Sequence, residues 1–247
     1  MADHKTRILS TRPLEAALLE QAAGRDIIID MLPFIVTEPI VDAALQSRIR
    51  QLSRQPLIAV FTSMNAVEVV AGLLGPAHST LPWQIYVIGY ATQQLIRQYW
   101  GAACIAGTAA SASTLADTII RRQADGIGQH EAREVSFFCG DRRRDELPEK
   151  LRAQGIGVNE WVVYKTEQTP YKVEQIYDGI VFFSPSAVHS FFSENSIPAG
   201  TVLFAIGPTT ADTIRSYAPD NHTILSGSPE KEALIRQVID HYNYIKP

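Results

Sequence analysis

Six short segments place a glycine, a hydroxyl residue or an arginine between an apolar, β-branched run and the start of a helical pattern. They are Ser10-Thr11-Arg12, Thr62-Ser63, Gly89 to Thr92, Gly140 to Arg144, Ser184 to Ser186 and Gly207 to Thr210. Turns of this kind offer free backbone N–H groups, hydroxyls and the positive end of a helix dipole, which suits carboxylates or phosphates. The anion-binding candidates are therefore Thr11, Arg12, Thr62, Ser63, Gly89, Thr92, Gly140, Arg144, Ser184, Ser186, Gly207, Thr209 and Thr210. Each type has a plainer use. Ser and Thr at a helix start act as N-caps, glycine permits a tight turn, and Arg142–Arg144 can pair with the flanking Asp141, Asp145 and Glu146. Tyr164, at the end of another apolar run, either packs or supplies one phenol.

The chemistry is narrowed by what is missing. The sequence has no G-x-x-x-x-G-K-[ST], no G-x-G-x-x-G between a strand and a helix, and no G-x-S-x-G. His4, His78, His130, His189, His222 and His241 are scattered without metal-ligand spacing. Neither a cofactor nor a metal is expected. An enzyme built from these parts works with hydroxyls, amides, arginine and one phenol.

These turns must be positioned by something, and the composition says what. Of the 247 residues, 46% are hydrophobic and 19% charged, a globular balance that excludes a disordered chain. The net charge of -4 makes a poor general binder of nucleic acid. No apolar run reaches the length of a membrane span. The start, MADHKTRILSTRP, lacks the apolar core of a signal peptide. Cys104 and Cys139 lie in apolar runs and read as buried thiols. The expectation is a cytoplasmic monomer with no nucleic-acid or membrane partner.

Short β-rich runs alternate with helical patterns throughout, which predicts an α/β protein with parallel sheets covered by helices on both faces. Thr6–Ser10, Ile27–Thr37, Leu57–Thr62, Ile85–Ile88, a short run at Cys104, Val135–Cys139, Gly157–Thr166, Gly179–Phe183, Val202–Ile206 and His222–Leu225 read as strands. The helical patterns are Pro13–Ala23, Val41–Leu52, Asn65–Leu74, Thr92–Trp100, Ser113–Arg122, Asp145–Gln154, Ala187–Glu194, Thr209–Tyr217 and Glu230–Tyr242.

The chain also repeats itself. Val60 to Val67 (VFTSMNAV) matches Val181 to Val188 (VFFSPSAV), 121 residues on, and Val87 to Thr92 matches Ala205 to Thr210, 118 on. Gly24 to Phe34 parallels Gly155 to Tyr164. Three blocks in one order argue for an internal duplication, although any two strand–turn–helix units share some likeness. Two splits fit. A contiguous one falls at Asp125–Gln129. A swapped one joins 1–35 with 170–247 around 38–165, crossing near 36–39 and 164–170, where two long strands each end in Thr-Glu. Three strand-end turns then come from each repeat.

The turns resemble those of the uroporphyrinogen-III synthase family. The resembling blocks are F-T-S-x-x-A-V at Phe61–Val67, V-x-G-x-A-T at Val87–Thr92 and F-x-C-G-x-x-x-R-x-x-L-P at Phe137–Pro148. V-Y-x-T follows at Val163–Thr166, then F-F-S-P-S at Phe182–Ser186 and A-I-G-P-T-T-A at Ala205–Ala211. They keep the family's order over almost the whole chain. Met64-Asn65 stand where some members carry Pro-Arg.

The resemblance implies two similar flavodoxin-like α/β domains, each a five-stranded parallel sheet, with swapped connectivity and a two-stranded linker beside a cleft. It implies a cofactor-independent lyase of haem or other porphyrin and tetrapyrrole biosynthesis, which closes hydroxymethylbilane into uroporphyrinogen III with loss of water and inversion of ring D. The six turns would then hold substrate carboxylates. The family's tyrosine matches Tyr164, which would assist departure of the substrate hydroxyl. A transient contact with the preceding pathway enzyme also follows from the resemblance. A non-catalytic two-domain binder of a small anion is the competing reading.

Overall fold

Alternating residues along the strands decide the architecture. In β1 (Thr6–Ser10), Ile8 faces a core that includes Leu14, Leu18 and Ala22 from the segment entering and forming helix α1 (Ala16–Ala23), whereas the next residue, Leu9, faces a separate core. Strands buried on both faces read as continuous apolar runs, as these do. This computed structural model describes residues 5–76, 78–124, 134–228 and 230–245. Asp125–Gln129, the site of the contiguous split, lies outside them, as do His4 and His130.

Contacts divide the chain into Met1–Val36 with Glu167–Pro247, and Thr37–Thr166. The first unit holds β1, β2 (Ile27–Met31), β9 (Gly179–Phe182), β10 (Val202–Ala205) and β11 (Thr223–Leu225). Its sheet runs β11-β10-β9-β1-β2, with parallel pairing throughout. Helices α7 (Pro185–Phe192) and α8 (Pro208–Tyr217) pack on the face of Leu9, Ile180 and Leu203. The other face, with Ile8, Val181 and Phe204, is covered by α1 and by α9 (Lys231–Ile245).

The second unit holds β4 (Leu57–Phe61), β5 (Trp83–Ile88), β6 (Ile105–Ala109), β7 (Glu134–Gly140) and β8 (Gly157–Gln168), the last running two residues past the unit's boundary. Their order is β8-β7-β4-β5-β6, with parallel pairing. Phe61, Ile85 and Phe138 face α2 (Ala43–Leu52), α3 (Met64–Leu74) and α4 (Tyr90–Trp100). Val60, Tyr86 and Phe137 face α5 (Ala112–Ala124) and α6 (Glu146–Arg152).

The repeat is visible in these orders. Starting the first unit at β9 instead of β1 gives the same strand order as the second unit starting at β4. The sequence match of Val60–Val67 with Val181–Val188 thus pairs β4 with β9, and the likeness of Gly24–Phe34 to Gly155–Tyr164 pairs β2 with β8.

The elements depart from the sequence reading in three places. Ile27–Thr37 is not one strand. It breaks at Leu32-Pro33-Phe34 into β2 and β3 (Ile35–Pro39), because Pro33 has no N–H to give a ladder. β3 then joins β8 as a sixth strand on the second sheet. The Ile40 N–H donates to Val163 C=O at 2.8 Å and the Thr169 N–H to Phe34 C=O at 3.0 Å, so this added strand runs antiparallel to β8. Cys104 ends a 3-10 turn (Ala102–Cys104) rather than forming a strand, and β6 starts after it.

Candidate functional site

In each unit the open parallel sheet reverses direction of strand order once, and ligands of such sheets bind beyond the C-terminal strand ends. The six turns named above lie at such ends. They come as equivalent pairs, one in each unit. Ser63 follows β4, and Ser184 follows β9. Both are N-caps in extended backbone: Ser63 Oγ accepts from the Ala66 N–H at 3.3 Å, and Ser184 Oγ from the Ala187 N–H at 3.2 Å.

Gly89 after β5 and Gly207 after β10 form the second pair. Both precede helices that carry no side-chain cap, so first-turn N–H groups of α4 and α8 lack a partner within the helix. Gly89 has φ +82, a conformation that needs glycine. Gly207 has φ -164, an extended backbone open to any residue, and a Cβ there would meet nothing within 4 Å. Thr209, in the first turn of α8, is exposed, whereas Thr210 and Thr92 are buried at 3% and 6% exposure.

The third pair is the turn after β7 and the turn after β1. Thr11 is 1% exposed, and its hydroxyl donates to Val181 C=O at 2.8 Å, which ties β1 to β9. Its donor is therefore spent inside the sheet. Arg12 and Arg144 are exposed, while Arg143 is ion-paired with Asp145 and Glu160. Burial pushes the Glu160 carboxyl up, but hydrogen bonds and charge from Arg143 and Arg152 outweigh it and hold the group below its ordinary range. Thr62 and Ser186 are half-buried, with no hydrogen bond from either hydroxyl among the described residues.

Ser63, Gly140 and Tyr164 come together. The register of β7 against β8 slips after Cys139, which pairs with Val162, so that Gly140 pairs with Tyr164. A bulge of this kind re-aims a side chain. The Tyr164 ring then lies directly over Gly140: a Cβ there would sit 2.5 Å from Cε2 and Cζ and 2.8 Å from the phenol oxygen. Held this way, the Tyr164 O–H donates to Ser63 Oγ at 3.1 Å. Burial pushes the phenol above its ordinary value, the bond to Ser63 pulls it down, and Cys139 and Asp141 add to the rise. The turn is fastened by Asp141, whose N–H donates to Tyr164 C=O at 3.1 Å and whose carboxylate accepts the Thr166 N–H at 2.9 Å. In the repeat, Phe34 of the first unit matches Tyr164; it is a fully buried ring without a hydroxyl, so the first unit has no phenol at the matching place.

Two features were not singled out from sequence. By sequence Asp141 reads only as a flanking charge, and its role as a tie depends on β8 lying alongside. Tyr90, the first residue of α4, is 66% exposed at a C-terminal strand end; an aromatic directly after a strand-end glycine is the signal that marks it. Among the described residues, no group of three or more His, Cys, Asp or Glu is arranged to hold a metal ion.

The family model described as uroporphyrinogen-III synthase HemD matches residues 16–236. The chain belongs to the uroporphyrinogen-III synthase family. That span includes every candidate residue except Thr11 and Arg12. The uroporphyrinogen-III synthase of Saccharomyces cerevisiae is 29% identical over 205 residues, 71% of this chain and 73% of the yeast chain. Two solved structures share the fold. One is a mutant uroporphyrinogen III synthase of Thermus thermophilus, with TM-score 0.64 at 13% identity, covering 98% of this chain and all of that one (100%). The other is uroporphyrinogen-III synthetase of Helicobacter pylori, with TM-score 0.64 at 14% identity, covering 96% of this chain and 99% of that one. The tetrapyrrole-synthase reading is thereby favoured over a non-catalytic anion binder, and the two-domain α/β architecture expected from the motifs is the one observed.

Proposed function

We propose that this chain cyclises hydroxymethylbilane to uroporphyrinogen III, releasing water and inverting ring D. The observation that carries this is the family match over residues 16–236. Loss of the terminal hydroxyl leaves an azafulvene cation spread over an electron-rich pyrrole. Attack at the substituted carbon of ring D gives a spirocyclic intermediate, which fragments and recloses with that ring inverted. The departure step needs one proton donor. Everything else requires a flexible octacarboxylate to be held in one conformation, which is a task of orientation.

The residues suit that division of labour. The uncapped first turns of α4 and α8, after Gly89 and Gly207, offer N–H groups and dipole to carboxylates. The hydroxyls of Ser184, Ser186, Thr62 and Thr209 add donors, with Arg12 and Arg144 as exposed charges, while Ser63 lies beside Tyr164. Thr210 and Thr92 are buried beneath these first turns, Thr11 ties β1 to β9, and Gly140 leaves room for the Tyr164 ring. Tyr164 supplies the proton; a phenol is protonated at neutral pH at its ordinary value, and burial moves this one further up. The reaction draws on no metal or cofactor in this account. No helix among the described residues is long and apolar enough to cross a membrane. The free, buried thiols of Cys104 and Cys139 support placement in the reducing cytoplasm. The test is incubation with hydroxymethylbilane followed by oxidation and chromatographic separation of the isomers.

A further inference from the structure

We infer that Ser63 is the group that touches the departing hydroxyl, and that Tyr164 delivers its proton through Ser63 rather than directly. This rests on the synthase reading above and specifies the route of its one proton transfer. A serine hydroxyl has two acceptor lone pairs and one proton. At Ser63 one lone pair takes the Ala66 N–H at 3.3 Å and the other takes the Tyr164 O–H at 3.1 Å. With both acceptor positions filled, the Ser63 proton must be donated to a third group, and no acceptor takes it among the described residues. Hydrogen bonds arranged in a chain strengthen one another, so the incoming phenol and amide make Ser63 a better donor than an isolated serine. The Tyr164 proton, in contrast, is already committed to Ser63. Gly140 acts on this step as a positioning residue, since only a bare Cα leaves room for the ring.

The step balances. As the C–O bond of the hydroxymethyl group breaks, its electron pair stays on oxygen, which takes the Ser63 proton and leaves as water. Ser63 takes the Tyr164 proton, leaving a phenolate beside the azafulvene cation. After the final ring closure, the attacked pyrrole carbon loses its proton, which returns through Ser63 to the phenolate. No other reactant is consumed.

The experiment is a double-mutant cycle in kcat with Ser63→Ala, Tyr164→Phe and the pair. The expected result is a ten- to hundredfold loss for each single variant and no further loss for the pair, as for residues acting as a unit. Ser63→Thr, which keeps both cap and hydroxyl, recovers most of the rate. Ser63→Asp keeps the cap and accepts from Tyr164 but has no proton to give, so it stays as slow as Ser63→Ala; it also keeps the test valid should the alanine variant unfold. The alkaline limb of the kcat profile, which follows loss of the Tyr164 proton, is absent in Tyr164→Phe. Losses that multiply in the pair overturn the inference and give Tyr164 direct contact with substrate. Full activity in Ser63→Ala or Ser63→Asp overturns it too, leaving Ser63 a helix cap. A wild-type protein that makes no isomer III above the spontaneous rate overturns the synthase reading itself.

Discussion

Gly140→Ala separates the placement of Tyr164 from its chemistry. The added Cβ would lie 2.5 Å from Cε2 and Cζ of Tyr164, whereas carbon atoms rest at about 3.5–4.0 Å. The ring must therefore move by about 1 Å or more. The phenol stands 3.1 Å from Ser63 Oγ, so a shift of that size in most directions breaks the bond. The obstructed atoms are the outer end of a side chain, which can swing aside. The stability cost is accordingly near the low end of overpacking, about 1 kcal/mol. The catalytic cost equals that of losing the proton donor, roughly ten- to hundredfold, or about 1.4–2.7 kcal/mol. Thermal melts and kcat on hydroxymethylbilane measure the two separately. Adding Tyr164→Phe to Gly140→Ala leaves the stability cost in place and lowers kcat no further. Wild-type kcat in Gly140→Ala would refute the argument, because it would mean that the contact of the ring with Gly140 does not matter for the reaction.

Tyr164→Phe alone should fold normally and lose roughly ten- to hundredfold in kcat with isomer III still dominant, the low end of general-acid effects because the azafulvene cation stabilises itself; a switch to isomer I would assign the tyrosine to orienting ring D. Gly89→Ala forces a side chain to φ +82 and should cost about 1–2 kcal/mol in melts. Gly207→Ala, in open extended backbone, should leave the melt unchanged and lower affinity or kcat, so a destabilised Gly207→Ala would make that glycine structural. Glu160 has a folded pKa below its ordinary value despite burial, because of Arg143 and Arg152. Its contribution is therefore present above the unfolded carboxylate range and lost as pH falls through the lower, folded value. Glu160→Gln should thus destabilise by about 1–3 kcal/mol at pH 7 and by progressively less in denaturant titrations below about pH 4.

The sequence carried the architecture because parallel strands buried on both faces leave long apolar runs, and because a duplication writes the same turn twice. Val60–Val67 and Val181–Val188 marked β4 with α3 and β9 with α7, down to the two capping serines. What was lost depended on single residues or distant partners. Pro33 splits a run that otherwise looks like one strand, and the freed piece becomes β3. Thr11 and Thr209 are both threonines beyond strand ends, yet one hydroxyl is buried against Val181 while the other lies in an exposed first turn; the difference arises from packing that no local pattern encodes. The meeting of Tyr164 with Ser63 spans 101 residues and depends on a bulge at Val163, which has no sequence signature. Gly207 looked like a backbone requirement, but its extended φ removes that reason.

Isomer composition is the most direct test of the synthase reading, because spontaneous closure of hydroxymethylbilane gives isomer I and only an enzyme that inverts ring D gives isomer III. Purified protein, incubated with hydroxymethylbilane and quenched by oxidation at short times, should yield mainly uroporphyrin III by chromatography, at a rate proportional to protein concentration. Uroporphyrin I alone, formed at the rate seen without protein, would contradict it.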